Sequence, residues 1–434
     1  MCNHEPSPYS RRRFIQQGVV LASMASTAPI FIERSAQGMM RPDGSLVTSQ
    51  AGVPEDHVLV IIQLAGGNDG LNTVVPYGDR TYYTRRPGIA IPEPGSTTSG
   101  FKAIQLDQSR GLGIHERFSD FKALIDDGSA CIVQGVGYPN PNRSHFTSTD
   151  IWHTGNTGGN GDGWVGRYFD NQCNGSPIPE SSISIGREAP LALQGRINKP
   201  ISFESAELFR WMGGDLHPDL DTPYQSISRA GSTEGEDDQH AFLMRTALDA
   251  QVSSDRIRKA MAKQTLVQYP NGNLANQLRA IGAMIRDGLS TRVYYASLGG
   301  FDTHAGQNNP HANLLSQVGG SLRAFHSDLK AQGNSGRVLT MVFSEFGRRV
   351  GENGSGGTDH GTAAPMFFVG DMIQPGVHGD LPSLSNLDDG DLKYAVDFRT
   401  VYGDILENWM GASSASVLGK DFASRNSMSL FKGV

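Results

Sequence analysis

The sequence predicts an α/β fold, a mostly parallel central sheet with helices on both faces. Two observations predict it. Five short apolar runs are continuous rather than alternating, which marks strands buried on both faces. Amphipathic stretches with apolar residues at spacings of three and four lie between them, and strands alternating with helices build a parallel sheet.

The first run is His57 to Leu64 (HVLVIIQL), ended by Gly66-Gly67. Ala130 to Gly137 (ACIVQGVG) repeats the style, and Arg292 to Leu298, Arg337 to Phe343 and Pro365 to Val369 follow. Helical periodicity covers His240 to Lys263 and Leu274 to Ile285, the latter closing at Arg286-Asp287-Gly288 with glycine as the C-cap. Leu314 to Leu329 is a further amphipathic stretch. Asp397 to Met410 opens on an Asp N-cap and closes at Gly411. Residues 220–238 are rich in Ser, Gly and acids and read as a mobile surface loop. No internal repeat is visible.

The N-terminus carries an export signal. Ser10-Arg11-Arg12-Arg13-Phe14-Ile15-Gln16 precedes a weakly apolar run, Gly18 to Ile32. A basic region, an apolar region and small polar residues in that order form a targeting segment. Paired arginines before Phe-Ile specify the twin-arginine route, so the translocase of that route is an expected partner and the periplasm or the exterior the expected location. The run is short of the ~20 apolar residues a span needs and contains Pro29. Pro29 follows Ala28 and Arg34 precedes Ala36, so cleavage and an uncleaved anchor both stay open. Residues 1–36 form this signal, 37–56 a polar linker, and 57–434 a single α/β domain.

Of the formal charge of −7, residues 1–36 contribute +2, which leaves −9 for the rest. That balance argues against a nucleic-acid partner. No later run is long and apolar enough to cross a membrane. Of three cysteines, Cys2 lies in the signal. Cys131 sits in an apolar strand as a buried, inert thiol; pairing with Cys173 is the alternative in an oxidising compartment.

Chemistry gathers where the strands end, the place at which open α/β sheets bind ligands. The first strand leads to Asp69, the second to Arg143-Ser144-His145, the third to Asp302-Thr303-His304 and the fourth to Glu345-Phe346-Gly347-Arg348. A glycine-rich loop brings Asp359-His360 just ahead of the fifth. Carboxylates and imidazoles without thiolates suit zinc, manganese, magnesium or calcium. Each has a structural alternative. Asp69 and Ser144 can be helix caps, Asp302 and His304 a turn network, Glu345 a partner of Arg348, and Asp359 an outer support or turn former. His145 reads as lining the site, His115 and His153 are open, and His217, His240, His311, His326 and His378 read as solvent-facing.

Taken together, LAGGNDGLNTVVPY, NRSHF with DIWHTG, GGFDTH, FSEFGRR, GTDHGTAAPMFFVGD and DFRTVYGDILENWMG resemble the twin-arginine-exported "domain of unknown function 1501" family, placed in the alkaline phosphatase/sulfatase superfamily. The resemblance runs from His57 to Gly411. It implies an alkaline phosphatase-like fold and a metal-dependent hydrolase of phosphate esters, with sulfate esters second. By motif order Asp69 resembles the first metal Asp, Ser144 the nucleophile, Asp302 with His304 an Asp/His pair, Glu345 the Asp of the second pair, and His360 the last His. Two departures stand out. The Asp/His pair is separated by one residue instead of three, which still puts both on one face of an extended segment. Phe346 stands where the second pair has its His. The formylglycine signal is missing near Ser144.

The resemblance thus implies zinc at Asp302, His304 and His360, and a weaker ion at Asp69 and Glu345. Arg143 or Arg348 would hold equatorial oxygens of a small anionic ester or a decorated polysaccharide. An exported binding or assembly protein that keeps the fold is the alternative. A nicotinamide oxidoreductase is excluded by the lack of a G-x-G-x-x-G fingerprint after the first strand.

Overall fold

A computed structural model of the chain describes residues 56–172, 179–204, 253–423 and 430–432. The export signal, all of the linker but Asp56, the polar loop 220–238 and Cys173 lie outside the described residues. So does most of the helix expected at 240–263, of which 253–261 is seen as helix.

The strands are β1 (Val58–Leu64), β2 (Val74–Val75), β3 (Ala103–Asp107), β4 (Leu112–His115), β5 (Ala130–Gly137), β6 (Ser182–Ile185), β7 (Ile201–Phe203), β8 (Val293–Leu298), β9 (Val338–Phe343), β10 (Ala364–Val369), β11 (Gly376–His378) and β12 (Val396–Asp397). The main helices are α1 (Ser119–Asp126), α2 (His145–Thr154), α3 (Trp164–Gln172), α4 (Asn273–Arg286), α5 (Asn308–Gln332) and α6 (Phe398–Asn408). The main sheet runs β11-β5-β10-β9-β1-β8-β6-β7, with β12 also on β5; β2, β4 and β3 form a small antiparallel sheet.

β1 lies inside the main sheet, parallel to β8 on one side and β9 on the other. Its continuous apolar sequence serves two cores. Val58, Val60, Ile62 and Leu64 pack with Phe121 of α1, Leu278 of α4 and Leu322 of α5. Leu59 and Ile61 pack on the opposite face with Trp152 of α2, Tyr168 of α3 and Tyr402 of α6. Each such side chain contributes about 1.5–3 kcal/mol by leaving water, so Ile61→Asp would break the layering that positions the loops beyond Leu64. The helix stops follow local chemistry. Gly288, just past α4, has φ +74, and the Asp397 side chain accepts the Arg399 amide to cap α6.

One strand departs from the parallel pattern. β10 is antiparallel to both β9 and β5. Its start, and not its end, therefore lies at the edge where β1, β5, β8 and β9 finish. This is why His360, which precedes its strand, meets residues that follow theirs.

Cys131 is a free, buried thiol, and burial pushes its pKa up. His311 and His326, expected to face solvent, are 2% and 3% exposed. Both sit on the inner side of α5, which packs against α1 and α4 and has little solvent-facing surface there.

Candidate metal centre

Three loops and one helix start bring the site together. After β8 the chain turns through Gly300 (φ +101), and the Phe301 amide donates to the Ala65 carbonyl, which sets Asp302 beside the end of β1. Gly66 and Gly67 allow this approach. A Cβ on Gly66 would lie 2.4 Å from the Asp302 nitrogen, and one on Gly67 2.4 Å from the Phe346 ring. Between β9 and β10 the chain folds back on itself, with Arg348 opposite His360 in an isolated bridge. His145 is the first residue of α2.

Asp302 Oδ1 is the point of convergence. His360 Nε2 lies 3.0 Å away, His304 Nε2 3.0 Å, His145 Nε2 3.5 Å and Arg348 Nη2 2.7 Å. The opposite nitrogen of each ring faces an oxygen that can only accept. His145 Nδ1 donates to Glu345 Oε1 at 2.8 Å, His360 Nδ1 to the Arg143 carbonyl at 2.8 Å, and His304 Nδ1 to Asp359 Oδ1 at 3.3 Å. All three Nε2 atoms turn inward, and with the protons on Nδ1 their lone pairs would be free for a metal ion. Metal-ligating imidazoles are oriented in this way by acceptors on their far side. His145, Asp302 and His360 each offer a ligand atom within 4.8 Å of one another.

The electrostatics fit a cation. Partial burial works against ionisation of Asp302, but the hydrogen bond and the charge of the Arg348 guanidinium outweigh it and hold the carboxyl at about 2. The Asp302 side chain is 47% exposed, whereas Glu345 behind His145 is at 2%. The cluster is thus backed by protein and open on the Asp302 side. Two imidazoles and a carboxylate, with a third imidazole beside them, match the donor set of a catalytic zinc site.

Other residues expected at the site are differently placed. Asp69 is fully buried and bound to Arg86 Nη1 at 2.6 Å and Gln307 Nε2 at 2.5 Å. It also caps the helical turn Gly70–Thr73 through the Asn72 amide. Burial opposes its charge, yet the Arg86 guanidinium holds its pKa below the usual carboxylate value. Glu345 Oε1 accepts the Gly66 amide at 2.8 Å as well as His145. Both carboxylates are thus committed to protein donors, and neither joins a second metal-ligand group among the described residues.

Arg348 is buried, and each of its three nitrogens donates inside the protein, to Gly67 O, Thr358 O, Gly66 O, Phe301 O and Asp302. The Arg143 side chain turns to Asp391 and Asp389. Ser144 is exposed at the start of α2 and makes no side-chain cap bond. Phe346 packs against both His145 and His360, with ring centroids 4.9 and 4.7 Å away. Sequence reasoning placed His145 only at the lining; its position after an N-cap serine, at a strand-end turn, was the available signal.

The family described as "Protein of unknown function (DUF1501)" matches residues 215–409. No curated protein matches. Among solved structures the chain is similar to the lipoteichoic acid synthase LtaP from Listeria monocytogenes, with 7% identity, TM-score 0.41, and coverage of 90% of this chain and 81% of that one. It is similar to the PsFucS1 sulfatase from Pseudoalteromonas sp. at 11% identity and TM-score 0.36, over 99% and 75% of the two chains. The C-terminal periplasmic domain of EcEptC from Escherichia coli, solved in complex with Zn, gives 10% identity and TM-score 0.36 over 75% and 77%. None of these likenesses bears on the chemistry of the site.

Proposed function

We propose that the chain is an exported, metal-dependent hydrolase of phosphate esters, with one ion held by Asp302, His304, His360 and His145. The observation that carries the reading is the inward turn of three Nε2 atoms onto Asp302 Oδ1, each ring with an acceptor on its far side. A bound zinc ion would polarise the ester and acidify the attacking hydroxyl. The rest falls to the chain. Glu345, Asp359 and the Arg143 carbonyl fix the ring orientations. Arg348 holds Asp302. Ser144 stands between Arg143 and His145, both tied to the cluster, and is the candidate nucleophile. The N-terminal amides of the ten-residue helix α2 offer partial positive charge to an anionic ester. Phosphate suits this site better than sulfate because no formylglycine signal surrounds Ser144.

A small anionic ester or a decorated polysaccharide is the substrate class this reading allows. Export rests on Arg11, Arg12 and their surroundings; the Arg11→Lys, Arg12→Lys precursor should stay in the cytoplasm, and normal export of it would remove the twin-arginine reading. The central test is metal content beside hydrolysis of an aryl phosphate, on protein purified after export. About one zinc per chain with metal-dependent turnover is expected.

A second reading, an exported binding or assembly protein, draws on one observation: Arg143 and Arg348 spend their guanidinia within the protein. Metal-free, inactive protein from metal-supplemented growth would favour it.

A further inference from the structure

We infer that the cleft beside the cluster is the subsite for the alcohol half of the ester, and that it takes a neutral polyhydroxyl group such as a sugar unit. The inference rests on the reading of the cluster as a hydrolytic centre. The cleft holds about 730 Å³, within the range of small-molecule sites. It begins one side chain away from the cluster. Phe346, whose ring lies against His145 and His360, is part of its wall. So is Arg143, whose carbonyl holds His360. An ester whose phosphate sits at Asp302 and His360 therefore has this space open to its other half.

The wall chemistry selects the class. Tyr394 lines the cleft and is 40% exposed, which makes it available for stacking on a sugar ring. Asn140 and Asn142 add amides that both donate and accept, as hydroxyls do. Asp388 and Asp389 are exposed carboxylates at the rim. Asp391 is 1% exposed and borders the same space. Its Oδ2 takes the Arg143 Nε at 2.8 Å, and its Oδ1 faces the Arg349 Nε at 3.7 Å. The three aspartates offset Arg143, Lys393 and the nearby Arg349. Among the described residues of the cleft no positive charge is left over to hold a second anionic group, and an added carboxylate or sulfate on the alcohol would meet Asp388 and Asp389.

The test separates the cleft from the chemistry. Saturation-transfer NMR on chelator-treated protein should show transfer to methyl glucoside, weaker transfer to methyl glucuronide, and a severalfold loss for the glucoside in Tyr394→Ala. With zinc restored, the ratio of kcat/KM for a hexose 1-phosphate to that for methyl phosphate should fall about tenfold in Tyr394→Ala, the size of one lost aromatic contact. Absent glucoside transfer, equal transfer to the glucuronide, or an unchanged ratio would overturn the inference while leaving the hydrolase reading intact. Sugar binding without hydrolysis of either ester would overturn the hydrolase reading, and with it the assignment of the cleft to a leaving group.

Discussion

The Nε2 atoms of His304 and His360 lie 3.0 Å apart, and both rings spend their Nδ1 protons on acceptors behind them. With both Nε2 atoms unprotonated, their lone pairs would repel at this distance unless a cation sat between them. Two imidazole nitrogens on one zinc at ~2.0 Å would lie ~3.3 Å apart in tetrahedral geometry. The pair is therefore already close to the spacing that two imidazoles take on one zinc ion.

His360→Ala removes one of these two nitrogens. The wild-type protein should gain thermal stability on addition of zinc, by about 2.7 kcal/mol when free zinc is a hundred times its Kd. The variant should show little of that gain at the same zinc concentration. Calorimetric melting with and without zinc decides it, and an equal gain in both proteins would remove His360 as a ligand.

Glu345→Gln keeps an acceptor for the Gly66 amide and for His145 Nδ1 but deletes the charge behind the imidazole. Such supporting partners typically carry 10–100-fold in metal affinity. A competitive chelator titration should show a loss of that order. Asp359→Asn should cost less, because Asp359 is 55% exposed and its contact with His304 is 3.3 Å.

Four buried histidines set the acid limit of the fold. Burial lowers His115 to about 3 and His153, His311 and His326 to about 4. The unfolded chain titrates its imidazoles near 6.5, so below that value it binds protons that the folded chain refuses. Stability should therefore be level above pH ~6.5 and fall steadily toward pH ~4. Melting of chelator-treated protein at pH 7 and pH 5 measures this without interference from metal release. His153→Gln can keep a bond to Tyr295 Oη, 2.9 Å from His153 Nε2 in the wild type, and should flatten part of the slope.

The parts of this structure legible in the sequence are those whose cause is local. β1, β5 and β9 are buried on both faces, and β8 is buried but for Ser297; their nearly continuous apolar runs say so within six to eight residues. Asp302, His304 and His360 were legible because a strand end or start fixes where they lie. The fate of Asp69 was not. Its partners, Arg86 and Gln307, stand 17 and 238 residues away along the chain, and no pattern near Asp69 distinguishes a metal ligand from the anion of a buried pair. The direction of β10 was equally hidden, since an apolar strand reads the same both ways. The small sheet of β2, β3 and β4 escaped notice because its strands are short and β3 is mostly half-buried.

Ser144→Ala addresses the nucleophile. Ser144 is exposed and has no cap bond to lose, so the variant should fold and melt like the wild type. Its hydroxyl is not among the atoms that converge on Asp302, so zinc content should also be unchanged. If the hydroxyl attacks the ester, turnover of an aryl phosphate should fall roughly a thousandfold or more, as it does when a nucleophile is deleted from an otherwise intact site. The wild type should show a burst of alcohol release or a trapped phosphoserine, and the variant neither. Full activity in Ser144→Ala with zinc retained would assign the attack to water and leave Ser144 as the residue that precedes a helix whose amides bind the ester. Loss of zinc along with activity would place the serine among the ligands instead, and zinc content measured on the same sample as turnover separates the three outcomes.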